Sequence, residues 1–150
     1  MKSVKECLDN LKKKGFKLTP QRQAVIEHLE GNSSHPSAAD LFEEVKKKYP
    51  MISFATVYNT LKILGESKEI RPLTIGFDKV NFDPNTEQHD HFLCKKCGKI
   101  YDIFPEKKEA VQEIEGHQIN DCQIYFYGIC SDCCKAKNTK NSQKKERVPG

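Results

Sequence analysis

No apolar run in this 150-residue chain approaches the ~20 residues needed to span a bilayer, which excludes a membrane helix. The start of the chain also lacks the apolar core and small-residue cleavage site of a signal peptide, since Met1 to Lys14 is charged and amphipathic. A cytoplasmic location is expected. In that reducing compartment the seven cysteines are expected as metal ligands or free thiols, not as disulfides. A Gly-rich phosphate loop and an H-E-x-x-H helix are both missing. A zinc deaminase would need an H-x-E general base, and the chain offers His89-Asp90-His91 and His117-Gln118-Ile119 instead. The chain is therefore not expected to be an enzyme, and a zinc enzyme stands as the alternative from another class. No internal repeat is present.

Charge is present in quantity, and it is unevenly placed. Residues 1–82 carry 14 Lys/Arg against 10 Asp/Glu, residues 83–134 carry 5 against 10, and residues 135–150 carry 6 against 1. A basic first half suits a polyanion, and an acidic stretch holding most of the cysteines and histidines suits cations. The basic tail from Lys135 to Gly150 has no periodicity and reads as disordered.

The first 66 residues read as four helices. Leu8 and Leu11 begin an apolar stripe that Gly15 ends. Thr19 is a good N-cap with Pro20 at the first helical position, ahead of Val25, Ile26 and Leu29, and Gly31 is the stop. Ser37 and Asp40 form a capping box before Leu41, Phe42, Val45 and Tyr49. Ser53 caps a fourth helix whose Phe54, Val57, Leu61 and Leu64 share one face. The opposite face offers Thr56, Tyr58, Asn59 and Lys62, all able to touch base edges, thymine methyls or phosphates, and none acidic. Two strand-like runs follow, Ile70 to Ile75 and Lys79 to Phe82, turning around Gly76, Phe77 and Asp78. Helices closed by a hairpin describe a winged helix, and a small helical domain with a solvated face is the plainer alternative.

The second half changes period, so the fold class is α+β. His91 to Cys94 and Lys99 to Ile103 read as strands around a Cys-Gly knuckle. Pro105 to Glu115 reads as a helix with Ala110, Val111 and Ile114 inward and Gly116 as its end, and Gln123 to Ile129 alternates as a strand. Cys94-x-x-Cys97 and Cys130-x-x-Cys133 are two knuckles 32 residues apart. Each aims two thiolates at one point, and together they make a closed tetrahedral sulfur site for structural Zn2+. Cys134 adjoins Cys133 and is an alternative ligand. Cys7 and Cys122 have no partner at ligand spacing and read as buried free thiols.

His89 and His91 project to the same side of an extended segment. His35 precedes a helix, Asp83 ends the second wing strand, and Asp102 goes with the strand-like run after the first knuckle. Imidazoles with carboxylates suit iron(II), manganese(II) or zinc(II) over copper(I). Ordinary surface histidines are the competing reading of the pair, and spacing alone does not bring His35 to the others.

Taken together, Thr19-Pro20-Gln21-Arg22, Ala55-Thr56-Val57-Tyr58, His89-Asp90-His91, both knuckles and Tyr127-Gly128 ahead of Cys130 resemble the ferric uptake regulator family in order and spacing, from about Leu11 to Cys133. The resemblance implies a homodimer whose N-terminal winged helices bind double-stranded DNA at an AT-rich inverted repeat and whose C-terminal α/β domains pair. It divides the chain into a DNA-binding domain (1–82), a metal-binding and dimerisation domain (83–134) and the tail (135–150). It also implies a regulatory Fe2+ or Mn2+ on His35, Asp83, His89, His91 and Asp102, with only His35 contributed by the DNA-binding half. Tyr58 then reads bases, and Arg22 with Lys14 or Lys17 lies near the DNA backbone or minor groove. Asp at both 83 and 102 is the pattern of the family's peroxide-sensing branch, in which the metal-bound site is lost by oxidation of His35 or His89. The iron-level-sensing branch usually carries Glu at those positions and is the alternative. A further site of many family members is in doubt, because Gln88 and Cys122 stand where those members have histidine.

Overall fold

The computed structural model describes residues 3–105 and 111–136. The described residues divide into two compact units, with the boundary between Glu87 and Gln88. Asp83, expected with the second half, belongs to the first unit because it pairs there in a hairpin. Among the described residues no helix is long and apolar enough to cross a membrane.

The first unit holds four helices, α1 (Val4–Lys13), α2 (Pro20–Leu29), α3 (Ala38–Lys48) and α4 (Phe54–Glu66), followed by strands β1 (Arg71–Leu73) and β2 (Asn81–Asp83). Local chemistry sets the helix ends. Ser3 with Glu6 and Ser37 with Asp40 make reciprocal capping boxes, and Thr19 and Ser53 accept the amides of Arg22 and Thr56. α1 stops in a Schellman motif: the Gly15 amide donates to Lys12 and the Phe16 amide to Leu11, with Gly15 at φ 81°. The inward faces of the helices merge into one core that includes Cys7, Leu11, Ile26, Leu29, Leu41, Val57, Leu61 and Leu64 and is joined by Ile70 and Phe82. β1 and β2 pair antiparallel, with Arg71 opposite Asp83 and Leu73 opposite Asn81. Both strands are shorter than their apolar runs, and β2 extends one residue further, to Asp83.

The second unit is built around a three-stranded sheet in the order β4-β3-β7, from β3 (Asp90–Cys94), β4 (Ile100–Ile103) and β7 (Tyr125–Gly128). β3 pairs antiparallel with β4 and parallel with β7. The expected helix over Pro105 to Glu115 fails where it is described. Glu113–Ile114 (β5) and His117–Gln118 (β6) form a hairpin, and Val111 and Ile114 are exposed. Glu115 and Gly116 both have positive φ, 50° and 82°, as a two-residue type I′ turn requires, so Gly116 acts as a hairpin turn instead of a helix stop. The 106–110 part of that expected helix lies outside the described residues. The tail reading also yields at its first residues: 131–136 is helical, started by the Cys134 amide donating to the Cys130 carbonyl. Residues 137–150 lie outside the described residues. Among the described residues of this unit, the buried apolar side chains are Cys94 and Cys130.

Candidate metal centres and nucleic-acid face

The four knuckle cysteines come together within the second unit. Cys94 ends β3, and the turn after it is closed by the Gly98 amide on the Cys94 carbonyl (2.8 Å), with Gly98 at φ 73°. The parallel pairing of β7 with β3 carries Cys130 and Cys133 to the same place. One sulfur from each cysteine lies within 4.8 Å of the others, and Cys97 Sγ is 3.8 Å from Cys130 Sγ. A tetrahedron of 2.3 Å zinc–sulfur bonds has sulfur–sulfur edges of about 3.8 Å, so the donor set fits that ion. Cys134 is not among these four, and its Sγ donates to the Ile129 carbonyl at 3.8 Å. The surroundings favour the thiolate at Cys94 and Cys130 and oppose it at Cys133. The Cys130 amide donates to Cys94 Sγ (3.3 Å) and draws that thiol down to about 6. The Tyr101 hydroxyl, buried against Cys130, lowers Cys130 in turn. Cys133 is pushed up to about 12, chiefly by the neighbouring Cys130 sulfur. Of the two remaining thiols expected to be buried, Cys7 is, and Cys122 is only half-buried in a loop.

The second unit also assembles a nitrogen and oxygen set. His91 lies directly opposite Asp102 across β3 and β4, and His89 sits two residues earlier with its ring 4.5 Å from that of His91. Asp102 Oδ1 is 3.3 Å from His89 Nε2 and 3.7 Å from His91 Nε2. Both histidines are buried, with His89 stacked on Phe104 and the His91 ring edge-on to Tyr125. Two converging imidazoles and one carboxylate form a donor set suited to iron(II), manganese(II) or zinc(II). The surface-histidine reading of this pair does not survive the burial.

In the first unit, His35 and Asp83 form a second fragment, with His35 Nε2 3.9 Å from Asp83 Oδ1 and both side chains buried. His35 has φ 51°, a left-handed conformation that costs a non-glycine residue roughly 1–2 kcal/mol. Such strain persists only where the surroundings enforce it.

The fourth helix carries the expected polar face. Tyr58 is 53% exposed and Asn59 is exposed. Lys62 is exposed as well and pairs loosely with Glu66 at 4.0 Å. Thr56 is less available, since its hydroxyl bonds the Ser53 cap at 2.9 Å. Phe54, grouped by sequence with the apolar face, is half-exposed. It packs edge-on against Phe42 and stacks on Tyr58 at 6.4 Å. Two of the basic residues expected at DNA are used internally. Lys14 Nζ donates to the Ser67 carbonyl (2.9 Å), and the Arg22 guanidinium donates to the Lys17 carbonyl. Lys17 is exposed. Tyr101 and Asn81, which shape these sites, carry no motif by which sequence would single them out.

The chain is similar to known proteins in sequence and fold. The model of the ferric uptake regulator family matches residues 13–127. The peroxide operon regulator of Bacillus subtilis is 37% identical over 90% of this chain and 96% of its own length. Among solved structures, PerR from Streptococcus pyogenes, described for peroxide sensing and gene regulation, is 27% identical with a TM-score of 0.53, covering 89% of this chain and 94% of that one. The iron-containing ferric uptake regulator of Francisella tularensis is also 27% identical, with a TM-score of 0.67 over 80% of this chain and 96% of that one. A family match over most of the chain, together with a relative of this identity and coverage, places the protein in the ferric uptake regulator family.

Proposed function

We propose that this chain is a metal-dependent, DNA-binding transcriptional repressor that senses peroxide, acting in the cytoplasm as a homodimer on an AT-rich inverted repeat and not as an enzyme. The observation that carries the sensing part is the convergence of His89, His91 and Asp102 on one point. The peroxide regulators among its relatives support the same reading.

In this reading Cys94, Cys97, Cys130 and Cys133 hold a structural Zn2+, which supplies the cross-link the second unit's small apolar interior does not. His35 and Asp83 complete the set begun by His89, His91 and Asp102, making one regulatory Fe2+ or Mn2+ site from two fragments. Two donors in one unit and three in the other leave each fragment short of a full shell, which supports a shared ion. An ion that binds one arrangement of the units better shifts the population toward it, and that arrangement sets the recognition helices of the dimer one DNA turn apart. Iron(II), when bound, supplies the reducing electron that makes peroxide an oxidant at ligand distance. Stacking on Phe104 would orient the His89 ring as a ligand, and the left-handed backbone at φ 51° would orient His35. Tyr58, Asn59, Lys62 and Thr56 read or grip the major groove, and Arg22 with Lys14 or Lys17 lies near the DNA backbone or minor groove, Lys17 being the one not engaged through its side chain in the internal bonds described above.

The test is peptide mass mapping of zinc- and iron(II)-loaded protein after a stoichiometric pulse of peroxide. One added oxygen on His35 or His89, absent with manganese(II) in place of iron, is the expected result. Unmodified histidines would refute peroxide sensing. The alternative is an iron-level sensor, which the likeness to the iron-containing Francisella structure favours.

A further inference from the structure

His35, strained at φ 51°, is held by a contact that no motif announces. Asn81 is buried in β2, and its Nδ2 donates to the His35 carbonyl at 2.7 Å. Around that bond the wing strand grips the same segment twice more. The Phe82 amide donates to the Pro36 carbonyl (2.9 Å), and Ser37 forms an isolated bridge with Asn81. Without such a grip His35 would not stay at φ 51°, because a residue preceding proline is driven to extended backbone. The other end of the Asn81 amide faces the wing turn, where Oδ1 lies 3.8 Å from the position a Cβ would take on Gly76.

We propose that Asn81 is a positioning residue for the regulatory metal: by holding the His35 carbonyl it keeps His35 in the left-handed conformation that turns its imidazole toward Asp83. The inference rests on the reading of His35 as a ligand. It gives the wing and the metal ligand a common anchor, since the residue that fixes His35 also lies against the turn of the hairpin.

Full-length protein, zinc-loaded at the cysteines, would be titrated with cobalt(II) as wild type, His35→Ala, Asn81→Leu and Asn81→Asp. Affinity comes from the visible absorption, and bound imidazoles are counted by their hyperfine-shifted ring N–H resonances. The resonance lost in His35→Ala belongs to His35. The expected result is that Asn81→Leu loses that same resonance at saturating cobalt and binds at least tenfold more weakly, with its helical amide signals unchanged. Asn81→Asp keeps the side-chain shape but sets an oxygen against the carbonyl. It should lose the resonance too, although its added charge would by itself favour a cation, and it serves if the leucine variant does not fold. A wild-type resonance and affinity in the Asn81 variants, with the resonance still absent in His35→Ala, would overturn the role of Asn81 alone. No change in His35→Ala would overturn both that role and the assignment of His35 as a ligand.

Discussion

Replacing Cys97 with serine removes one corner of the sulfur tetrahedron, and its effect can be sized from what else holds each unit. The first unit has a core of fourteen buried residues. Each fully buried Val, Leu or Ile contributes about 1.5–3 kcal/mol. In the second unit, among the described residues, burial of apolar side chains comes down to Cys94 and Cys130, both members of the four-cysteine cluster. A structural zinc contributes about 10–16 kcal/mol of apparent free energy at neutral pH, as much as the roughly 5–15 kcal/mol net stability of a whole domain. Cys97→Ser, or removal of zinc by a strong chelator, should therefore unfold the second unit and spare the first. Hydrogen exchange followed residue by residue is the assay. Protection should vanish in β3, β4 and β7 and persist in α2, α3 and α4. Cys134→Ser should behave as wild type, its sulfur lying outside the tetrahedron. Retained protection of the three-stranded sheet in metal-free Cys97→Ser would refute the reasoning, because some other interaction would then be holding that unit.

Three further outcomes are expected. Tyr58→Ala should keep full zinc content and cobalt affinity while losing at least tenfold in affinity for a duplex selected by the wild-type protein, measured at fixed salt because phosphate contacts make affinity salt-dependent. Ser37→Ala should destabilise the first unit by about 0.5–2 kcal/mol in urea melts through loss of the α3 cap. The same change should raise the Asp40 pKa, which the Ser37 hydroxyl chiefly holds below its ordinary value. Because that value is depressed in the fold, the wild-type contribution is present above the unfolded pKa near 3.8 and is lost as pH falls through the folded one; a carboxyl-carbon titration by NMR would show the variant losing it at higher pH. Gly116→Val, at φ 82°, should cost roughly 1–2 kcal/mol and erase the cross-strand contact between Glu113 and Gln118, leaving zinc affinity unchanged.

The features legible in sequence are those whose cause is local. Thr19-Pro20, Ser37 with Asp40, and Ser53 announce helix starts because a cap and its amide are three residues apart. The knuckles announce themselves because two thiols must share one turn. What was misread depends on partners far along the chain or on a choice between two local solutions. Gly116 can end a helix or turn a hairpin, and the pairing of Gln118 with Glu113 decides it. Phe54 fits an apolar helical stripe, yet the core is already filled by Val57 and Leu61, so its ring lies across Phe42 and Tyr58. His35 and Asp83 are 48 positions apart, and only the hairpin register with its Asn81 bond brings them to 3.9 Å.

The parallel pairing of β7 with β3 bears on the order in which the protein matures. Helices α1 to α4 are made of contacts close in sequence and can form while the ribosome is still elongating the chain. Cys94 and Cys97 emerge early, but they have only half a ligand set until β7 has been made and aligned beside β3, which brings Cys130 and then Cys133 to them. A nascent chain thus has a folded helical unit well before it has a closed zinc site. Scarcity of zinc in the cell should accordingly leave molecules whose first unit is sound and whose second is open to proteolysis, so that the supply of one metal limits how many sensors of another are ever completed.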